Sequence, residues 1–329
     1  MRTASWLAAL VVAGALAPSA RAAEPAIRID GSSSLYPLTE VVAREFQIGS
    51  RDAPQIVAEV SGTTGGLRAF CDGRIDVANA SRPISADEIE RCRKSRVRFV
   101  ELPVALDAIV VIVHPGNRIV DSLTIGELRR IWLAGPAPVR SWADVREGLP
   151  DRPIRLYGPD ADSGTWDYFE AVVIGATGTM RTDHAASDDD YRIVRQVAGD
   201  ADGLAFVGFA YAEPARGRVR ILPIAPDAGS PAVAPTATSM LDGSYRPLTR
   251  PLFLYVSRDA LKRRGVRNFA AYYLERAPVL AKEAGLVPLP LDLYRLADRR
   301  LERQVTGSVF RGRPPESIDL GTLRALEGD

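Results

Sequence analysis

Short β-branched runs alternate with helical patterns along most of this chain, and that alternation restricts it to the α/β class. Ala26 to Asp30 reads as a strand. A helix over roughly Leu35 to Gln47 follows it, with Leu35, Leu38, Val41, Val42 and Phe46 on one face. Gln55 to Val60 is a second strand, a short helix starts around Gly65, and Ile75 to Ala78 is a third strand. Val97 to Val100 leads into the apolar run Val104 to Val113, which suits a buried strand leaving one domain for another.

The middle of the chain has its own start and stop signals. Thr124 and Glu127 form a capping box ahead of Leu128, Ile131 and Trp132, and Gly135 ends that helix. Ile154 to Tyr157 is a strand. A further helix is expected from Ser187, with Asp188 to Asp190 in its first turn, Ile193, Val194 and Val197 facing inward, and a stop near Gly199. From Pro223 to Pro251 the chain is rich in Pro, Gly, Ser and Thr, the composition of a linker or surface excursion. Leu252 to Val256 returns to strand, Arg267 to Arg276 to helix, and the polar tail after Gly307 reads as loosely held, with a short helix over Ser317 to Leu326. The expected organisation is two α/β lobes, residues 24–108 with 250–329 and residues 109–249.

The first residues assign a compartment. Arg2, the apolar stretch Trp6 to Ala17 and the small-residue site Ala20-Arg21-Ala22 have the anatomy of a secretory signal peptide, so residues 1–23 are expected to be removed. The stretch is too short to read as a membrane span. In an exported protein, Cys71 and Cys92 are most simply a disulfide, worth roughly 3 kcal/mol for a loop of about 20 residues. Neither a short Cys-x-x-Cys spacing nor a nearby His favours a metal or redox pair.

Lys and Arg number 42 against 41 Asp and Glu, and no basic face for nucleic acid stands out. Any anion bound here must therefore be held by local dipoles. Three segments share the design this requires, a strand, a turn rich in Ser, Thr and Gly, then a helix. They are Gly31-Ser32-Ser33-Ser34-Leu35-Tyr36-Pro37, Ser61-Gly62-Thr63-Thr64-Gly65-Gly66-Leu67 and Asp162-Ser163-Gly164-Thr165-Trp166. A helix N-terminus exposes unpaired N–H groups and the positive end of the macrodipole. Each turn alone reads equally as a helix cap, but these carry more hydroxyls than capping needs. The paired glycines Gly65-Gly66 weaken a first turn unless something must come close. Arg82, just past the third strand, offers two parallel donors to a tetrahedral oxyanion, or else forms a surface ion pair. Asp162 either caps its helix or accepts the proton of hydrogen phosphate, a contact that sulfate would make unpaired and like-charged.

These motifs, with Ala80-Ser81-Arg82-Pro83-Ile84, Asp167-Tyr168-Phe169, Asp202 to Tyr211 and Arg250 to Val256, resemble the periplasmic phosphate-binding proteins of Pst-type ABC transporters over nearly the whole mature chain. The resemblance implies a type II periplasmic binding fold, two α/β lobes joined by a hinge with the ligand cleft between them. It implies inorganic phosphate as ligand, an ABC permease as partner, a monomer, and no cofactor, metal or nucleic acid. The implied phosphate contacts are Ser33, Ser34, the amide of Leu35, Thr64, Arg82, Ser163, Gly164 and Thr165. Familiar members carry Asp where this chain has Arg82, and Arg where it has Pro159. Arg and Asp have exchanged sides, which makes Asp162 the implied proton acceptor.

Tungstate, molybdate or sulfate binding remains open on the same turns. A secreted phosphatase is the rival from another class, but His114 and His184 neighbour no motif and no nucleophile elbow is present. A sensory or adhesive role would use the same closed lobes.

Overall fold

A computed structural model describes residues 24–49, 53–161, 163–312 and 320–324. The proposed signal peptide, Asp162 and half of the expected helix over Ser317 to Leu326 lie outside the described residues; the other half is the helical segment Leu320–Arg324. The strands are β1 (Ile27–Gly31), β2 (Ile56–Ala58), β3 (Val77–Ala80), β4 (Phe99–Val113), β5 (Leu123–Thr124), β6 (Arg155–Pro159), β7 (Ala185–Ser187), β8 (Gly203–Gly208), β9 (Arg220–Leu222), β10 (Ile224–Ala225) and β11 (Thr249–Ser257). Eight of them run β2-β1-β3-β11-β4-β8-β6-β7 across one mixed sheet, β9 also pairs with β4, and β10 with β5 forms a small second sheet.

The fifteen residues of β4 are all buried, and they change partners partway along. Phe99 to Ala108 pairs antiparallel with β11, whereas Ile109 to Val113 pairs antiparallel with β8. Pro103 supplies no ladder N–H, and the register of β4 against β11 slips there, between Leu252 and Phe253. The expected run was Val104 to Val113; the strand starts earlier because Phe99, Val100 and Leu102 also meet β11. On one side of the partner change, β1, β2 and β3 are parallel; on the other, β6 is parallel to β7 and β8. Each group has helices against it, among them Tyr36–Gly49, Gly62–Cys71 and Arg264–Glu283 for the first and Ile125–Trp132 and Asp190–Ala198 for the second.

Local chemistry sets the helix ends. The Thr124–Glu127 capping box forms as expected, and a second box joins Ser85 to Glu88 at the start of Ala86–Lys94. Cys71, the last residue of its helix, is disulfide-bonded to Cys92 in Ala86–Lys94.

Three expectations need correction. The helix expected from Ser187 begins at Asp190: Ser187 ends β7, its hydroxyl accepts the Asp189 N–H, and Asp189 is the N-cap. Pro223 to Pro251 is not merely a surface excursion. It holds β10, the helix Ala237–Leu241 and the start of β11, and it buries Met240, Tyr245, Leu248 and Arg250. The segment after Gly307 is tied down as far as it is described, since Gly307 N–H donates to Phe99 O, Val309 N–H to Glu101, and Phe310 is buried.

Candidate functional site

The parallel strands β1 and β3 end on the same edge of the sheet, at Gly31 and Ala80, and across the partner change β6 ends at Pro159. The Ser/Thr/Gly motifs are the turns after β1, after β2, which lies parallel beside β1, and after β6, while β3 leads into Ser81 and Arg82. In open α/β sheets the carboxyl ends of parallel strands are where ligands bind. Asp30 fixes the first two turns to each other: its carboxylate accepts from Gly31 N at 2.7 Å, Ser61 N at 2.9 Å and Ser61 Oγ at 2.7 Å. Gly66 lets the helix Gly62–Cys71 sit directly on the end of β1, because a Cβ there would overlap the backbone of Gly31. The close approach at Gly66 is thus backbone against backbone, whereas a Cβ on Gly65 would meet the Ser61 side chain.

Hydroxyls then gather around Gly164. A Cβ on that residue would stand 2.6 Å from Ser81 Oγ, 3.0 Å from Thr63 Oγ1 and 3.8 Å from Ser32 Oγ. Ser32, Thr63 and Ser81 are buried and come from the β1–β3 side; Gly164 and the buried Thr165 come from the β6 side. Thr63 Oγ1 accepts the Ser81 N–H at 3.1 Å and pairs with Ser81 Oγ at 3.0 Å. Among the described residues Ser32 Oγ has no hydrogen-bond partner.

Arg250 lies beneath this group, fully buried. The antiparallel register of β11 on β4 sets it opposite Asp107, and its Nε and one terminal nitrogen donate to Asp107 Oδ2 at 3.1 and 2.8 Å. The same terminal nitrogen shares its two hydrogens with Ser34 Oγ at 2.8 Å and Thr165 Oγ1 at 2.9 Å as well, and the other terminal nitrogen donates to Gly164 O at 2.9 Å, so the bonds span both sides of the partner change. Tyr168 places its ring 5.6 Å from the guanidinium carbon and donates its hydroxyl to the carbonyls of Pro247 and Thr249.

Of the residues expected at the site, Ser34, Gly164 and Thr165 join this cluster. Ser33 is half-buried beside it, and the Leu35 N–H donates to Ser32 O at 3.3 Å. Ser163 is the N-cap of Gly164–Phe169, its hydroxyl accepting the Thr165 N–H. Thr64 points away from Ser81; it accepts from Arg82 at 2.9 Å and donates to Asp167 at 3.2 Å. Arg82 is clamped by Glu88 at 2.8 and 2.9 Å. Burial opposes both charges, but their mutual bonds outweigh it, raising the Arg82 pKa and lowering that of Glu88. Burial pushes the Asp167 carboxyl up. Both guanidiniums are thus matched by carboxylates, and what the site offers an anion is neutral donors. Ser32, Thr63, Ser81, Asp107 and Arg250 were not singled out from sequence, although all but Asp107 lie inside the segments that carry the family resemblance.

A mixed sheet whose long strand serves two groups of parallel strands, with donor-rich turns converging where they meet, is the type II periplasmic-binding-protein architecture. Residues 17–277 match the family model of the PBP superfamily domain. Protein SphX of Synechococcus elongatus is 42% identical over 99% of this chain and 97% of its own length. The phosphate-binding protein PstS of Staphylococcus saprophyticus is 31% identical over 85% of each chain. Among solved structures, a possible phosphate binding protein from Planctomyces limnophilus superposes with a TM-score of 0.70 at 34% identity, covering 85% of this chain and 98% of that one. The chain belongs to the PBP superfamily and, within it, to the family that contains SphX and PstS. It is a binding protein rather than an enzyme.

Proposed function

We propose that this protein captures inorganic phosphate in the periplasm, as a monomer, and delivers it to the membrane permease of an ABC importer. The observation that carries the reading is the meeting of buried hydroxyls from two sides of the fold at Gly164, where a Cβ would stand within 3.0 Å of two of them. Neutral, preorganised donors hold a dianion without a positive field, and a closed, water-poor setting strengthens each contact. The names of the PstS relatives, and of the Planctomyces limnophilus structure, point to phosphate. The leader over residues 1–23 and the relatives' class support export.

The proposed contacts are Ser32, Ser33, Ser34, the Leu35 amide, Thr63, Ser81, Gly164 and Thr165, with Thr64, Arg82 and Ser163 at their edge and Asp162 as acceptor of the phosphate proton. The proposed lobes are residues 24–108 with 250–329 and residues 109–249; the change of partners at Ala108/Ile109 and the return through β11 support those limits. Closure of the lobes on the anion shifts the population toward the form the permease reads.

Calorimetric titration of phosphate-stripped protein with phosphate, sulfate, molybdate and tungstate from pH 5 to 9 tests this. Tight phosphate binding with sulfate ignored is expected, and Asp162→Asn should lose that discrimination. Preference for another of these oxyanions would overturn phosphate as the cargo and keep the fold's role as an oxyanion binder.

A further inference from the structure

A hydroxyl brings one proton and two lone pairs to its neighbours, whereas a guanidinium only donates. Ser34 Oγ and Thr165 Oγ1 both face one terminal nitrogen of Arg250, whose two hydrogens they share with Asp107 Oδ2, so neither hydroxyl can donate towards Arg250. Among the described residues neither one donates a hydrogen bond elsewhere, and their protons remain to be offered to a ligand. Thr64 is the internal control. It also accepts from an arginine, but its proton is already spent on Asp167 Oδ2. The Thr63–Ser81 pair shares one bond while Thr63 also accepts the Ser81 N–H, which leaves one proton between them.

We infer that Arg250 is a positioning residue that fixes the hydrogen-bond polarity of Ser34 and Thr165, committing one hydroxyl on each side of the cleft to donate to bound oxyanion. It acts through those hydroxyls. Asp107 balances its charge and the β4–β11 register holds it in place, so the donors are set before the anion arrives. The Arg250 bond to Gly164 O holds the β6-side turn in the same frame. Two consequences follow for recognition. Unprotonated oxygens are the stronger acceptors for Ser34 and Thr165, which favours the proton of hydrogen phosphate facing another part of the site. This rests on the proposed oxyanion-binding function but not on which oxyanion is carried.

A double-mutant cycle on oxyanion affinity tests it. Arg250→Lys keeps the charge opposite Asp107, yet one ammonium cannot serve Asp107, Ser34, Thr165 and Gly164 O together. Phosphate affinity is expected to fall about tenfold or more, the scale of a lost charge-assisted bond. In a Ser34→Ala/Thr165→Val background the same Arg250→Lys change should have little further effect, while in Thr165→Ser, which keeps the hydroxyl, it should keep its full effect. Losses that simply add would show that Arg250 acts on the anion directly or only on the fold, and would overturn the inference. Should Arg250→Lys fail to fold, Arg250→Gln combined with Asp107→Asn runs the same cycle with no unpaired buried charge. Wild-type protein that binds molybdate, tungstate or sulfate in place of phosphate would overturn the cargo alone, and the cycle would then be read on that ion. Wild-type protein that binds none of the four would overturn both.

Discussion

Thr63 and Thr64 are neighbours of the same chemistry, and the helix they open decides their fates. Successive side chains turn through about 100°, so only Thr63 can face β3 and Ser81, while Thr64 is turned to Arg82 and Asp167. Gly164 is the residue on which the two sides close, and the absence of a side chain there is what lets them. Gly164→Ala would force a methyl to within 2.6 Å of Ser81 Oγ and 3.0 Å of Thr63 Oγ1. Overpacking of this kind costs about 1–3 kcal/mol, and opening of the cleft can relieve it. Phosphate affinity is therefore expected to drop about tenfold or more with little change in melting temperature, as calorimetric titration beside thermal melts would show. A lowered melting temperature with unchanged affinity would place the overlap in the fold instead. The turns that meet at Gly164 stand out in the sequence because Ser, Thr and Gly cluster there, and Ser34, Gly164 and Thr165 sit in the gathered group. Sequence alone could not choose between adjacent hydroxyls, since that choice depends on helical phase and on the strand opposite. Arg250 was hidden for another reason: its carboxylate partner Asp107 is 143 residues away, and only the β4–β11 register joins them.

At the scale of elements, hydrophobic period and capping chemistry located β1, the helix Tyr36–Gly49 and the helix Ile125–Trp132 to within a few residues. They failed where composition and environment disagree. The start of β11 looks like loop because of its Pro and Arg, yet Arg250 and Pro251 are buried and pair with Asp107 and Leu106 of β4. The Cys71–Cys92 bond joins two helices that flank the second turn and Arg82. Its closed loop spans 21 residues of sequence separation, so by the chain-entropy argument its loss should cost about 3 kcal/mol. Cys71→Ala/Cys92→Ala is expected to lower the urea midpoint accordingly while phosphate affinity stays within about threefold, because that pair touches none of the gathered hydroxyls. An unchanged midpoint would mean that the unfolded chain is already restricted. A large loss of affinity would mean that the disulfide holds Thr63 and Ser81 in place.

For the whole molecule, the near-balance of charge in the sequence reappears as cations buried against carboxylates, and one carboxylate is in excess where the two sides meet. Asp190, at the start of Asp190–Ala198, has one buried oxygen with no hydrogen-bond partner among the described residues. Burial first, then the charges of Asp107 and Asp189, push its pKa up to about 7; Arg250 and a bond from the Gly208 amide only partly offset them. Burial, then the carboxylates of Asp190 and Asp107, also push the Tyr211 hydroxyl up, so it stays neutral beside them. In the unfolded chain Asp190 would lose its proton near pH 4, whereas the folded protein keeps it until about pH 7. Between those values the native state binds more protons, so this group makes stability fall as pH rises, with the loss levelling off above pH 7. Glu101, raised to about 7 by burial, adds a slope of the same sign, so the wild-type curve alone cannot assign the effect. Asp190→Asn keeps an acceptor for the Gly208 amide and supplies N–H groups in place of the acid proton. Urea midpoints measured from pH 5 to 8 should therefore fall less steeply in Asp190→Asn than in wild type, with the two curves closest at pH 5 and furthest apart at pH 8. Parallel curves would show that Asp190 is already ionised in the folded protein, and that Arg250 serves both acids at once.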